Sequence, residues 1–262
     1  MKSSQPYQPL LLRILHGLTG FLLIAAVLTA FWTYDTYDGR WGRIPLPQYK
    51  EIEGLHGTFG LFTLLIFPAL VIYACHQGQR RLIQPDSLAK LAQVGKPIWW
   101  YTLSRITNTL SILAVTFALF SGKMMDDTWL PKGELEHGWY YAHLIGWAIV
   151  VLCIALHVLM NARVGGSALL MSMLNWRFRD RDHPALWSAQ ISKWLLDLRL
   201  NRRVNWLRFS FPSAEADAIA NANAVPNGRL SPTLPPTHSA LIALEIFVLT
   251  SLAAAWIIPL FE

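Results

Sequence analysis

Four histidines stand inside stretches apolar enough to cross a bilayer: His16, His56, His143 and His157. Ionisable side chains are costly in a membrane and usually functional there. A neutral imidazole has a further use, because one ring nitrogen can bind a metal while the other keeps its proton. Their spacing fits this use. His143 and His157 lie fourteen residues apart in one apolar run, which in an α-helix is about 21 Å along the axis and within roughly 40° of one face. That is too far to share one ion, and it suits two cofactors stacked across the membrane.

The helices that position these rings follow from composition. The chain has 262 residues, 53% of them hydrophobic and only 15% charged. A soluble domain has about a quarter charged, so this is a membrane composition, and twelve tryptophans supply interfacial belts. Five stretches reach the roughly 20 residues a span requires: Leu10–Trp32, Gly54–Cys75, Trp99–Gly122, Trp139–Met160 and Ser239–Leu260. The first has no A-x-A-like cleavage signal and reads as a retained anchor. Pro68 is expected to kink the second span without ending it. Cys75 and Cys153 form no CxxC or CxxCH, which argues against a disulfide framework, a thiolate zinc site and covalent haem attachment.

Loop charge sets the expected orientation. Residues His76–Ile98 carry four Lys/Arg and one acid, and Arg163–His238 carry ten against five. Thr33–Glu53 carries three against four, and Gly122–Gly138 two against four. Positive loops stay in the cytoplasm, so the N-terminus is placed inside and the C-terminus outside, in a cell inner membrane or a thylakoid. The net charge of +6 is then a topology signal, and no nucleic-acid partner is called for. Three parts are expected: a four-helix domain over 1–163, a cytoplasmic segment over 164–238, and a last membrane helix over 239–262. Within the second, Leu186–Phe211 reads as an amphipathic surface helix or a docking face, and Pro212–Thr237 as a linker.

With that topology the histidines pair by depth. His56 follows Glu53, and His143 follows Glu136, at the outer ends of their spans. His16 follows Arg13 at the inner start of the first span, and His157 precedes Arg163 at the inner end of the fourth. The expected pairs are His56–His143 and His16–His157. Two imidazoles on facing helices describe a haem held from both sides, and Gly17, Gly20, Gly57, Gly60 and Gly146 leave room for a macrocycle beside them. Arg13 and Arg105 are candidate cations for the inner haem's carboxylates, and Arg40, Arg43 or Lys123 for the outer one.

The runs "RILHGLTGFLLIAAVLTAF", "EGLHGTFGLF", "RITNTLSILAVTFALFSGKMM" and "HLIGWAIVVLCIALHV" resemble the first four helices of the di-haem cytochrome b superfamily. That group includes bacterial cytochrome b561 and the membrane subunits of formate dehydrogenases and nickel–iron hydrogenases. The resemblance covers about Leu10–Arg163. It implies an all-α, four-helix transmembrane bundle with two non-covalent haem b groups, one between the first and fourth helices and one between the second and fourth. The chain has no extra histidine in the core of the second helix, which makes the hydrogenase branch less attractive, and His76 reads as interfacial.

The expected function is transmembrane electron transfer, exchanging electrons with a membrane quinone, and the expected partners are membrane lipid and a redox partner protein or a second copy in a homodimer. The competing class is a transporter or structural subunit whose histidines carry protons or bare metal. That class calls for acids within the spans, and only Glu245 qualifies, in the fifth helix and away from the four histidines.

Overall fold

The computed structural model describes residues 6–125, 135–193, 195, 196 and 236–258. The described residues form helices and turns. Five of the helices are long and apolar enough to cross a membrane, and the chain is a multi-pass membrane protein. They are α1 (Leu10–Tyr37), α2 (Ile52–His76), α4 (Pro97–Lys123), α5 (Gly138–Leu174) and α6 (Pro236–Ile257); a short α3 (Ser87–Leu91) lies between α2 and α4.

The spans run through several residues that would end helices elsewhere. α2 continues past Pro68, as membrane helices do when neighbours satisfy the freed carbonyl. α5 extends well beyond the expected end near Met160, breaking only at Gly166, whose φ of +63° suits glycine. Arg163 did not end it. Its guanidinium lies over the Trp100 ring, 4.9 Å from the centroid, while the residue itself stays exposed, so a surface arginine is carried along the helix as it runs on. α4 is the most polar span, yet its buried hydroxyls on Thr102, Thr107 and Thr116 each donate to the carbonyl one turn back, at 2.8 Å. Such bonds let a polar stripe enter an apolar bundle without orphaned donors.

Packing is pairwise. α1 lies along α2 and α4 along α5, while α6 leans on α4 and α2. Leu64, Phe67 and Val71 of α2, Ile112 and Val115 of α4, and Val248 and Leu252 of α6 share one buried cluster. Lipid tails are as apolar as leucine, so close van der Waals fit holds these helices together. Cys75 and Cys153 are buried free thiols.

Two compact units are distinguishable, Met1–Asn175 with Pro236–Glu262, and Trp176–Pro235. The second opens with short turns at Asp180–Asp182 and Pro184–Leu186, followed by helix over 187–193. Ile191, Leu195 and Leu196 there are exposed. Most of the expected amphipathic helix and all but the end of the linker lie outside the described residues.

The loop between α1 and α2 is stapled to the start of α5. Arg40 meets Asp38 at 2.7 Å and Glu136 at 3.1 Å, and donates to the Tyr141 hydroxyl at 2.7 Å. The Tyr140 hydroxyl donates to the second Asp38 oxygen at 2.7 Å. Further back, Trp32 donates to the Pro47 carbonyl and Tyr37 to that of Lys50.

Candidate haem sites

α5 presents both of its histidines to neighbouring helices, one at each end of the bundle. Near the 38–51 loop His143 faces His56 of α2, with ring centroids 6.0 Å apart and planes at 58°. At the opposite end His157 faces His16 of α1, 5.8 Å apart at 30°. Directly stacked rings would lie closer. A metal–imidazole bond of about 2.0 Å, plus roughly 1.1 Å from nitrogen to ring centre on each side, places two clamping imidazoles about 6.2 Å apart. Both pairs stand close to that separation.

The other ring nitrogens are tied back to the protein. His56 Nδ1 lies 3.0 Å from the Ala26 carbonyl, which only accepts, so Nδ1 carries the proton. His157 Nδ1 lies 3.0 Å from Asn108 Oδ1. The amide is oriented by its own nitrogen, which donates to the Arg81 carbonyl at 2.9 Å, so the oxygen faces the histidine. His143 Nδ1 lies 3.1 Å from the Ser121 hydroxyl. For His56 and His157, then, Nε2 is the nitrogen with a lone pair for a metal, the arrangement in which outer partners fix the ring of a ligating histidine.

Space accompanies the geometry at the His56–His143 end. A cavity of about 620 Å³ is lined by both rings, Gly57, Gly60, Lys123 and Trp147, within the ordinary range of cofactor sites. A Cβ at Gly57 or Gly60 would meet no protein atom within 4 Å. Gly122 serves differently, because a Cβ there would stand 2.9 Å from His143 Cε1 and displace the ring. The Trp147 indole donates to the Val27 carbonyl at 3.1 Å and braces α5 against α1. A flat macrocycle clamped by two imidazoles fits these residues.

The cations picked from the sequence separate in space. Lys123 lines the cavity. Arg40 and Arg43 are engaged with Asp38, the first through its side chain and the second through its carbonyl. Burial alone would raise the Asp38 carboxyl, but hydrogen bonds from Arg40 and Tyr140 outweigh it and hold the group below the usual carboxylate range. At the other end Arg13 is buried, its guanidinium 5.5 Å from the Tyr7 centroid. Arg105 lines a separate recess with Arg80, Asp86 and Lys90. Arg81, missed in the sequence, also stands at this end: its carbonyl accepts from Asn108, the partner of His157, and its side chain donates to Gln8. Glu245, away from the four histidines as expected, meets His76 Nε2 at 3.0 Å. Among the described residues, no cluster of three or more His, Cys, Asp or Glu side chains could hold a bare metal ion.

Over residues 7–176, which is 170 of 262, the sequence matches the family described as prokaryotic cytochrome b561. The chain belongs to that family. Membership implies b-type haem as cofactor and transmembrane electron transfer as the activity. The match ends close to the end of α5, so α6 lies outside it. No curated protein and no solved structure matches the chain.

Proposed function

We propose that this cytochrome carries electrons across the membrane through two b-type haems, one held by His16 and His157 and the other by His56 and His143. The observation that carries this reading is the presence of two facing imidazole pairs, at 5.8 and 6.0 Å, on α5 and its neighbours. A haem held between the two imidazoles of each pair would supply one-electron transfer with little rearrangement, at a potential set by ligands, hydrogen bonds and burial.

The chain's own groups do the rest. The Ala26 carbonyl and Asn108 hold the protons of His56 and His157 on Nδ1 and aim Nε2 inward. Lys123 at one end, and Arg13 with Arg81 at the other, offer positive charge to haem carboxylates; Arg105, in its recess beside Asp86, is the weaker candidate for that task. Gly57, Gly60 and Gly122 keep backbone and rings at the required approach. The four-helix part through the end of α5 is the electron-carrying domain, with the segment between α5 and α6 cytoplasmic and α6 a separate membrane helix. The loop charges support a cytoplasmic N-terminus, which places the His16–His157 pair on the inner side. Electrons enter or leave through a membrane quinone or a redox partner protein.

The test is optical. The purified protein is expected to give a b-type α-band on dithionite reduction, with two haems per chain by extraction. A missing band, or retention of both haems after loss of any one of the four histidines, refutes the reading.

A further inference from the structure

We propose that Arg80, Lys90 and Arg105 bind the phosphate headgroup of an anionic phospholipid. The three line a recess of about 450 Å³ with Gln84, Pro85 and Asp86, in the connection between α2 and α4.

The recess has a firm frame. The Ile83 amide donates to Thr109 of α4 at 2.9 Å, and the Gln84 amide to Ser87 at 2.9 Å. The Gln84 side chain donates to the Gln79 carbonyl at 2.9 Å, and Ser87 is fully buried. The charges are thus held on a pinned turn against a membrane helix.

Three cations face one carboxylate. Lys90 hydrogen-bonds Asp86 and holds its carboxyl below the usual range, with Arg105 adding to the effect. Arg80 has no side-chain hydrogen bond or ion pair among the described residues. The surplus of two positive charges suits a phosphate diester, and guanidinium groups match phosphate oxygens in geometry.

The surroundings select a lipid over a free anion. On α4 the recess is lined by Arg105, five residues further along the helix than Trp100, which meets Trp99 edge to face at 4.6 Å in the first turn. Paired tryptophans mark the headgroup level. Leu88 and Val94, on the same connection, are 75% and 72% exposed. Apolar side chains so bare on the segment that carries Arg80 and Lys90 are unfavourable in water and at home against acyl chains, the composition of an interfacial lipid contact.

Native mass spectrometry of the haem-loaded protein, from nanodiscs mixing phosphatidylglycerol with phosphatidylcholine, tests this. One phosphatidylglycerol per chain is expected to persist in preference to phosphatidylcholine. A surface cation is worth about fivefold in anionic-lipid binding, so Arg80→Gln with Lys90→Gln is expected to weaken retention roughly 25-fold while the haem spectrum is kept. Leu88→Asn with Val94→Asn, which leaves every charge in place, is expected to weaken it several-fold. Equal retention in wild type and the charge variant overturns the proposal. If millimolar inorganic phosphate displaces the lipid and the Leu88/Val94 variant binds as well as wild type, the site takes a free anion and the lipid assignment fails.

Discussion

The four histidines differ in how they are held, and the differences predict separate behaviour. Replacing His143 or His157 by alanine is expected to remove about one haem of two, measured by extraction, with the remaining α-band intact. Asn108 acts through His157, accepting its Nδ1 proton while being oriented by the Arg81 carbonyl. Asn108→Leu takes away that acceptor, so the imidazole becomes a poorer donor to iron. Loss of such an outer partner typically costs about 10- to 100-fold in metal affinity. The haem at the His16–His157 end is expected to bind more weakly and titrate at a higher potential, with the other haem unchanged in the same redox titration. A uniform change in both would show that Asn108 acts on the fold alone. The histidines were legible because titratable rings are conspicuous in apolar runs. Asn108 and Ser121 were not, since single polar residues in a membrane helix read equally well as helix–helix contacts. The Ala26 carbonyl carries no side-chain signature at all.

At the scale of elements, the five spans were legible from length and hydropathy. The extension of α5 past Arg163 was not, because an arginine at the end of an apolar run reads as a helix end, and its contact with the Trp100 ring is tertiary. Arg40 was misplaced for a similar reason. The sequence marks it as a cation near the outer histidines, while the fold commits it to Asp38, Glu136 and Tyr141. That staple has a defined pH response. The Asp38 carboxyl is depressed in the folded protein, so its contribution is complete above the unfolded carboxylate value, about 3.9, and is lost as pH falls through the lower folded value. Asp38→Asn is expected to flatten the acid limb of the thermal-stability profile between about pH 5 and 2; an unchanged profile would remove Asp38 from this role. Between α4 and α5 the tight point is Gly122. Gly122→Val is expected to empty the His56–His143 site selectively, because the added carbon overlaps the His143 ring. Retention of both haems in that variant would mean the ring can shift at no cost.

For the molecule as a whole, α6 packs on α2 and α4 and contributes none of the four histidines. Leu241, Val248, Leu252 and Ala255 are buried in the contact, and Glu245 meets His76 across it. A chain ending at residue 235 is therefore expected to keep both haems while melting at lower temperature, read by following the Soret band on heating. Loss of either haem in that truncation would give α6 a part in the sites themselves. The family match stops before α6, in keeping with a helix added to the outside of a complete electron-carrying bundle.

Since α5 completes both histidine pairs, neither site can close while the chain is still being made up to residue 137. His16 and His56 enter the membrane early and wait without partners, and α5 finishes the two sites within fourteen residues of synthesis. The two-haem reading therefore predicts that cofactor loading is late and nearly simultaneous in biogenesis. Ribosome-arrested chains ending at residue 137 are expected to bind no haem stably, those ending soon after residue 143 to hold at most the His56–His143 haem, and full-length chains to acquire both together.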